Sequence, residues 1–222
     1  VAELSDNLID KPSSGLLPLT GDGIVIDIGT GDGLFVYQCA RRNPEKFYIG
    51  IDANARPLEK LSQKIHRNPA KGGLPNLLFI QAAVEDLPPE LDETADELHI
   101  HFPWGSLLRA VATGDEKVLE SLRRLCSPGC LLEILIGVDP DRDRSEIERL
   151  GLKPLTAEYL EDELIPRYEA AGFEVIDSGV LDQSEWSKIK TSWARRLKGN
   201  EGRKVVFISG QATDTHNRRE EE

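Results

Sequence analysis

The sequence predicts an α/β domain with a seven-stranded, mostly parallel, doubly wound sheet, and three observations predict it. An apolar run, Val25-Ile26-Asp27-Ile28, ends in Gly29, Gly31 and Gly33 and then opens a helical pattern. A second apolar run, Phe47 to Ile51, ends in Asp52 about one β-α-β unit downstream. Beyond it, strand-like and helix-like patterns alternate to the C-terminus, as they do when helices cover both faces of one sheet.

In chain order, residues 1–20 show no sustained period and carry Lys11-Pro12-Ser13-Ser14-Gly15 and Leu17-Pro18, so they read as a loosely ordered lead-in. Residues 21–212 form the folded domain, and 213–222, ending in Glu220-Glu221-Glu222, read as a disordered acidic tail. Apolar alternation places strands at 24–29, 47–52, 77–82, 97–102, 130–138, 173–180 and 204–210. Helical spacing covers 33–43, 55–66, 115–125, 156–171 and 184–197. The stretch 139–153, with Asp139-Pro140-Asp141-Arg142-Asp143-Arg144, reads either as a substrate-facing lid or as a surface connection.

With 222 residues, of which 39% are hydrophobic, the chain has enough apolar material for one real core. No apolar run approaches membrane-spanning length and no charged-then-apolar leader is present, so the expectation is a cytoplasmic protein; a monomer is expected as well. Cys39, Cys126 and Cys130 are an odd set that fits reduced core thiols. Cys126 and Cys130 alone supply too few ligands for zinc.

The glycine spacing narrows the ligand. G-x-G-x-G is not the dinucleotide pattern G-x-G-x-x-G. It suits S-adenosylmethionine, which has no pyrophosphate to seat on a helix N-terminus but carries an ammonium and a carboxylate, calling for an acid such as Asp27 and backbone donors. A tight strand-to-helix turn uses the same glycines. Asp52 stands where such folds place the acid that holds both ribose hydroxyls, although a helix N-cap before Ala53-Asn54-Ala55 is the plainer role. In Gln81-Ala82-Ala83-Val84-Glu85-Asp86, Ala83 and Val84 are suited to wall an adenine. Glu85 or Asp86 then either accepts from its amino group or is a solvated loop acid.

The fourth strand ends in His99-Ile100-His101-Phe102-Pro103-Trp104-Gly105-Ser106, which places a large aromatic over the cofactor mouth. Thr191-Ser192-Trp193-Ala194-Arg195-Arg196 offers a second tryptophan beside two arginines. Two indoles are able to sandwich a flipped base, each stacking interaction being worth about 1–3 kcal/mol. Either alone is equally a core or edge anchor, and Trp186 is assigned to packing. His99 and His101 alternate onto one strand face, but with no third ligand in view they read as packing, hydrogen-bonded side chains, so no metal is expected.

Together, Asp27 to Gly33, Tyr48 to Asp52, Pro69-Ala70-Lys71-Gly72-Gly73-Leu74-Pro75-Asn76, Phe102 to Leu108 and Ser192 to Leu197 resemble the aminoglycoside-resistance 16S rRNA methyltransferases of the kanamycin–apramycin type. The resemblance spans roughly residues 24–205. It implies a Rossmann-like class I S-adenosylmethionine-dependent methyltransferase that modifies N1 of adenosine 1408 in the decoding-site helix of the small (30S) ribosomal subunit. It makes Asp27, Gly29, Gly31, Asp52, Ala83, Val84, Glu85, Ser106 and Thr191 cofactor contacts, and Trp104 and Trp193 the two faces that hold the flipped adenine. It assigns RNA binding to Lys64, Arg67 and Lys71, and to Arg195, Arg196, Lys198, Arg203 and Lys204. The chain departs from the pattern in its N-terminal segment, which lacks the family's hairpin signal, and at Val205, where relatives carry a further basic residue.

A net charge of −12 opposes RNA phosphates, so docking depends on distribution. From Lys188 to Lys204 there are seven Lys or Arg against one acid, Glu201. This is either a docking stripe or the solvated face of an amphipathic helix. The competing readings are a tRNA guanine-N7 methyltransferase, whose longer Phe-Pro-Asp-Pro-Trp signature is missing here, a small-molecule methyltransferase, and a binding module without catalysis. Intact Asp27, Asp52 and glycines speak against the last.

Overall fold

The computed structural model describes residues 23–181 and 204–214. Seven strands, β1 (Ile24–Ile28), β2 (Phe47–Asp52), β3 (Leu77–Gln81), β4 (Ala95–His101), β5 (Cys126–Ile136), β6 (Phe173–Leu181) and β7 (Val205–Ala212), form one sheet in the order β3-β2-β1-β4-β5-β7-β6. β1 to β5 run parallel where they pair, and β7 inserts antiparallel between β5 and β6. The strand order reverses between β1 and β4. In open α/β sheets that reversal opens a crevice at the carboxyl ends of the strands.

The sequence explains why the central strands stay in the middle. All five residues of β1 are buried, as expected for a strand covered on both faces. Ile24, Ile26 and Ile28 pack with Leu98 and Ile100 into the larger core, beneath α3 (Gly105–Thr113) and α4 (Glu116–Leu125). Val25 and Tyr48 face the other way, against α1 (Leu34–Arg42) and α2 (Glu59–Ile65). The period-two alternation of β1 thus divides the domain into two packed layers.

Most expected elements recur with shifted ends. β4 begins at Ala95 and β5 at Cys126, both earlier than alternation indicates. α2 begins only at Glu59, because Ala55 to Leu58 form a turn closed by the Leu58 amide on the Ala55 carbonyl (3.0 Å). Two helices have no counterpart in the expected pattern. α3 follows a Pro-Trp-Gly turn and has no side-chain cap to announce it. α5 (Arg144–Leu150) occupies the stretch that reads as lid or connection. There Asp139 accepts from the amides of Asp141 (3.1 Å) and Arg142 (3.0 Å), a local turn that brings the chain into the helix.

The helix expected over 156–171 is present but interrupted. α6 (Ala157–Tyr159) passes through a π turn, Leu160–Leu164, into α7 (Ile165–Ala170). Pro166 removes one amide donor and the π turn precedes it, as expected where an α ladder must skip a partner. Tyr159 and Tyr168, both buried, donate from their hydroxyls to the carbonyls of Ala112 (3.0 Å) and Val111 (2.9 Å), tying this helix to the C-terminal half of α3. The expected lead-in at 1–20, the helix at 184–197 and nearly all of the 213–222 tail lie outside the described residues.

Candidate active site

The crevice at the reversal point holds a cavity of about 430 Å³, whose walls come from the carboxyl ends of β1, β2 and β4 and from the loop after β3. Gly29, Gly31 and Gly33 all adopt left-handed backbone, with φ of 73°, 62° and 69°. A side chain would be strained at each. At Gly33 a Cβ would also lie 2.4 Å from Phe79, and at Gly29 2.6 Å from Leu107. Gly31 has nothing within 4 Å of that position and lines the cavity, so the space beside it is open to a ligand.

Asp52 closes the loop from the next strand. Its Oδ2 accepts from the Gly31 amide (2.8 Å) and its Oδ1 from the Asn54 amide (2.8 Å). These bonds fix the carboxylate and leave each oxygen a further lone pair for a hydroxyl donor. Ala83, Val84 and Glu85 line the cavity from the loop after β3, and Trp104, Gly105 and Ser106 line it from the start of α3. Eight of the residues assigned from sequence therefore converge on one space.

Asp27 stands apart among the described set. It does not line the cavity, because strand alternation turns its side chain toward the α1 face, where it is buried at 3% exposure. Burial raises its pKa above the ordinary carboxylate value, although the nearby His101 imidazole works in the opposite direction. Thr191, Trp193, Arg195, Arg196, Lys198 and Arg203 lie outside the described residues. Lys204 is exposed at the entry to β7.

The segment carrying Trp104 is built unusually. Phe102 has φ of 52°, a left-handed conformation rare for an aromatic, while its amide donates to the Leu135 carbonyl (2.8 Å). The chain then turns through Pro103, and Trp104 takes the extended N-cap position of α3, 41% exposed. Sequence reasoning missed the residue that meets this turn from outside, Glu146 of α5. Its carboxylate pairs with Arg149 (2.7 Å), and that guanidinium, with a smaller contribution from the nearby Gly105 amide, holds its pKa below the usual range. The acid thus brings a negative charge from a separate element toward the N-terminus of α3, which has no side-chain cap of its own. Its one sequence signal is its place in an acidic, arginine-rich stretch.

The basic loop after α2 is structured. Lys64 lies over the Tyr37 ring (4.5 Å) and the Tyr37 hydroxyl donates to the Gly72 carbonyl (3.3 Å), while Arg67 and Lys71 are exposed. Behind the cavity floor, His99 pairs in register with Asp27 on one side and Glu133 on the other. Burial alone would lower the His99 pKa, but hydrogen bonds that its ring donates to the Glu133 and Glu97 carboxylates raise it to about 9. Glu97, bonded to His99 and Lys46, falls to about 2. The third group absent from the local sequence is therefore Glu133, contributed by the neighbouring strand.

A parallel sheet with one reversed strand, a G-x-G-x-G loop whose amide is held by an acid at the end of β2, and an open cavity between them define a class I S-adenosylmethionine-dependent methyltransferase. The NpmA family model, 16S rRNA (adenine(1408)-N(1))-methyltransferase, matches residues 17–212. The chain belongs to that family. A 16S rRNA (adenine(1408)-N(1))-methyltransferase of Streptoalloteichus tenebrarius is 38% identical over 191 residues, 85% of this chain and 87% of the relative. The crystal structure of the aminoglycoside resistance methyltransferase NpmB1 is similar with a TM-score of 0.78 at 48% identity, covering 88% of this chain and 89% of that one. A tryptophan-to-alanine variant of the Catenulisporales acidiphilia 16S rRNA (adenine(1408)-N(1))-methyltransferase, solved with cosubstrate SAM, superposes with a TM-score of 0.81 at 34% identity, covering 88% of both chains.

Proposed function

We propose that this protein transfers the methyl group of S-adenosylmethionine to N1 of the adenine at position 1408 of 16S rRNA, acting as a monomer on the 30S subunit and conferring aminoglycoside resistance. The observation that carries the reading is the position of Trp104, 41% exposed and lining the same cavity as the hydrogen-bonded pair Gly31 and Asp52. A planar acceptor stacked on that indole lies next to the cofactor space.

The cavity fits the cofactor chemically. Asp52 accepts from the ribose hydroxyls, Gly29 and Gly31 let the amino-acid end approach the backbone, and Ala83 and Val84 wall the adenine while Glu85 accepts from its amino group. Asp27, two residues before Gly29, contributes negative field toward the ammonium. Ser106 and Thr191 complete the cradle. When bound, S-adenosylmethionine supplies an electrophilic sulfonium methyl.

Adenine N1 has an in-plane lone pair, so no side chain has to remove a proton before transfer. The task of the chain is orientation. Trp104 and Trp193 hold the flipped base between two indole faces, and the same faces attract the positive charge that develops on the methylated ring. Lys64, Arg67 and Lys71, with Arg195, Arg196, Lys198, Arg203 and Lys204, supply the cations for the RNA backbone. Among the described residues no helix is long and apolar enough to cross a membrane. The test is cofactor titration together with methylation of purified 30S subunits. Cofactor binding without transfer to 16S rRNA would reject the substrate, and no cofactor binding would reject the site.

A further inference from the structure

On the α1 face of the sheet, away from the cofactor cavity walls, three donor atoms converge. His99 Nδ1 lies 3.4 Å from His101 Nε2 and 3.4 Å from Glu133 Oε1, and His101 Nε2 lies 2.6 Å from the same Oε1. The strand geometry produces this arrangement. His99 and His101 are two apart on β4 and so share a face, and Glu133 is the register partner of His99 on β5.

We propose that His99, His101 and Glu133 form a binding site for one divalent transition cation of the zinc class. Zinc–nitrogen and zinc–oxygen bonds of about 2.0–2.2 Å set the edges of a tetrahedron at about 3.3–3.5 Å. Two of the three edges here have that length. The third opens by a shift of Glu133, whose side chain is 48% exposed, while the His101 side chain is 3% exposed. That exposure also leaves a solvent side for the fourth ligand. Two imidazoles and one carboxylate with an open position are a donor set typical of zinc.

The surroundings support a metal over a simple hydrogen-bonded cluster. Both imidazole nitrogens face one carboxylate oxygen and each other, an arrangement that a single central cation satisfies at once. The remote nitrogen of His99 meets Glu97 Oε2 at 3.3 Å, and Glu97 is in turn paired with Lys46. Ligating histidines are commonly fixed by such an outer carboxylate. The Phe35 ring stacks edge-on against His101 with centroids 4.6 Å apart and shields that side. His99, His101 and Glu133 also form the group of three His, Cys, Asp or Glu residues, among those described, whose ligand atoms all fall within 4.8 Å of one another.

The experiment is titration of the full chain with Co²⁺, read by the visible ligand-field bands of a four-coordinate site, followed by Zn²⁺ displacement. Glu133→Gln and His99→Gln are titrated in parallel, with thermal melting to show that each is folded. The expected result is one Co²⁺ per chain with four-coordinate bands, displaced by Zn²⁺, and at least tenfold weaker binding in Glu133→Gln. Absence of the bands in the parent, or superposing titration curves for the parent and both folded variants, would overturn the proposal. Neither outcome depends on methyl transfer, so failure here is distinct from failure of the proposed function.

Discussion

At the scale of single residues, the proposed function divides the work of the site between Asp52 and Trp104. Asp52 is held by two backbone amides, so its loss removes a charged acceptor without unsettling a core. Asp52→Ala should weaken S-adenosylmethionine binding by about 1–3 kcal/mol, read by calorimetric titration. Unchanged affinity would remove it from the cofactor site. Trp104→Ala should abolish methyl transfer to 30S subunits while cofactor affinity stays within about twofold, because the substitution deletes the stack with the base. Asp27 makes a pH-dependent prediction. Burial raises its pKa, so the folded chain holds that proton more tightly than the unfolded one, and the group's contribution to stability is lost as pH rises through the folded value. A cofactor ammonium favours the ionised form, so affinity should fall as pH drops through the raised pKa. Asp27→Asn should flatten that profile. A parent profile as flat as that of the variant would exclude this role.

At the scale of elements, α3 presents the indole and is held at both ends. Tyr159 and Tyr168 bind its last turns, and the Glu146 charge faces its first. Glu146→Gln keeps the shape but loses the charge, and should lower kcat for subunit methylation with little effect on cofactor affinity. Unaltered kcat would make α5 a bystander. This element also shows where sequence reading stops. The glycine loop, Asp52 and the Phe-Pro-Trp-Gly turn are legible because each is a pattern of neighbouring residues at the end of a strand. α3 and α5 are not, because α3 starts at an uncapped tryptophan and α5 follows an Asp-Pro-Asp run that reads as loop. Both are stabilised by side chains distant in sequence, and Glu146 acquires its role only through that packing. Likewise Asp27 reads as a cavity acid from its position at a strand end, whereas alternation buries it on the other face. Glu133 joins His99 and His101 only through β4–β5 register.

At the scale of the whole molecule, a chain of net charge −12 must meet a polyanion through a local concentration of cations. Arg67 and Lys71 lie exposed on a loop that Tyr37 and Lys64 hold in place, and Lys204 stands exposed at the start of β7. Charge reversal at Arg67 or Lys204 should weaken 30S binding and make its logarithmic salt dependence shallower by about one unit for each phosphate no longer neutralised. Cofactor affinity should not change. Equal salt slopes in parent and variant would remove that residue from the RNA interface. The most direct test of the central claim is incubation of purified 30S subunits with the protein and labelled S-adenosylmethionine, followed by reverse transcription across the decoding site. N1 methylation blocks Watson–Crick pairing, so the account predicts incorporation of label and a new stop at adenosine 1408, both absent with Trp104→Ala. Intact cofactor binding with no stop at that adenosine would contradict it, leaving the cavity and its tryptophan to a different acceptor.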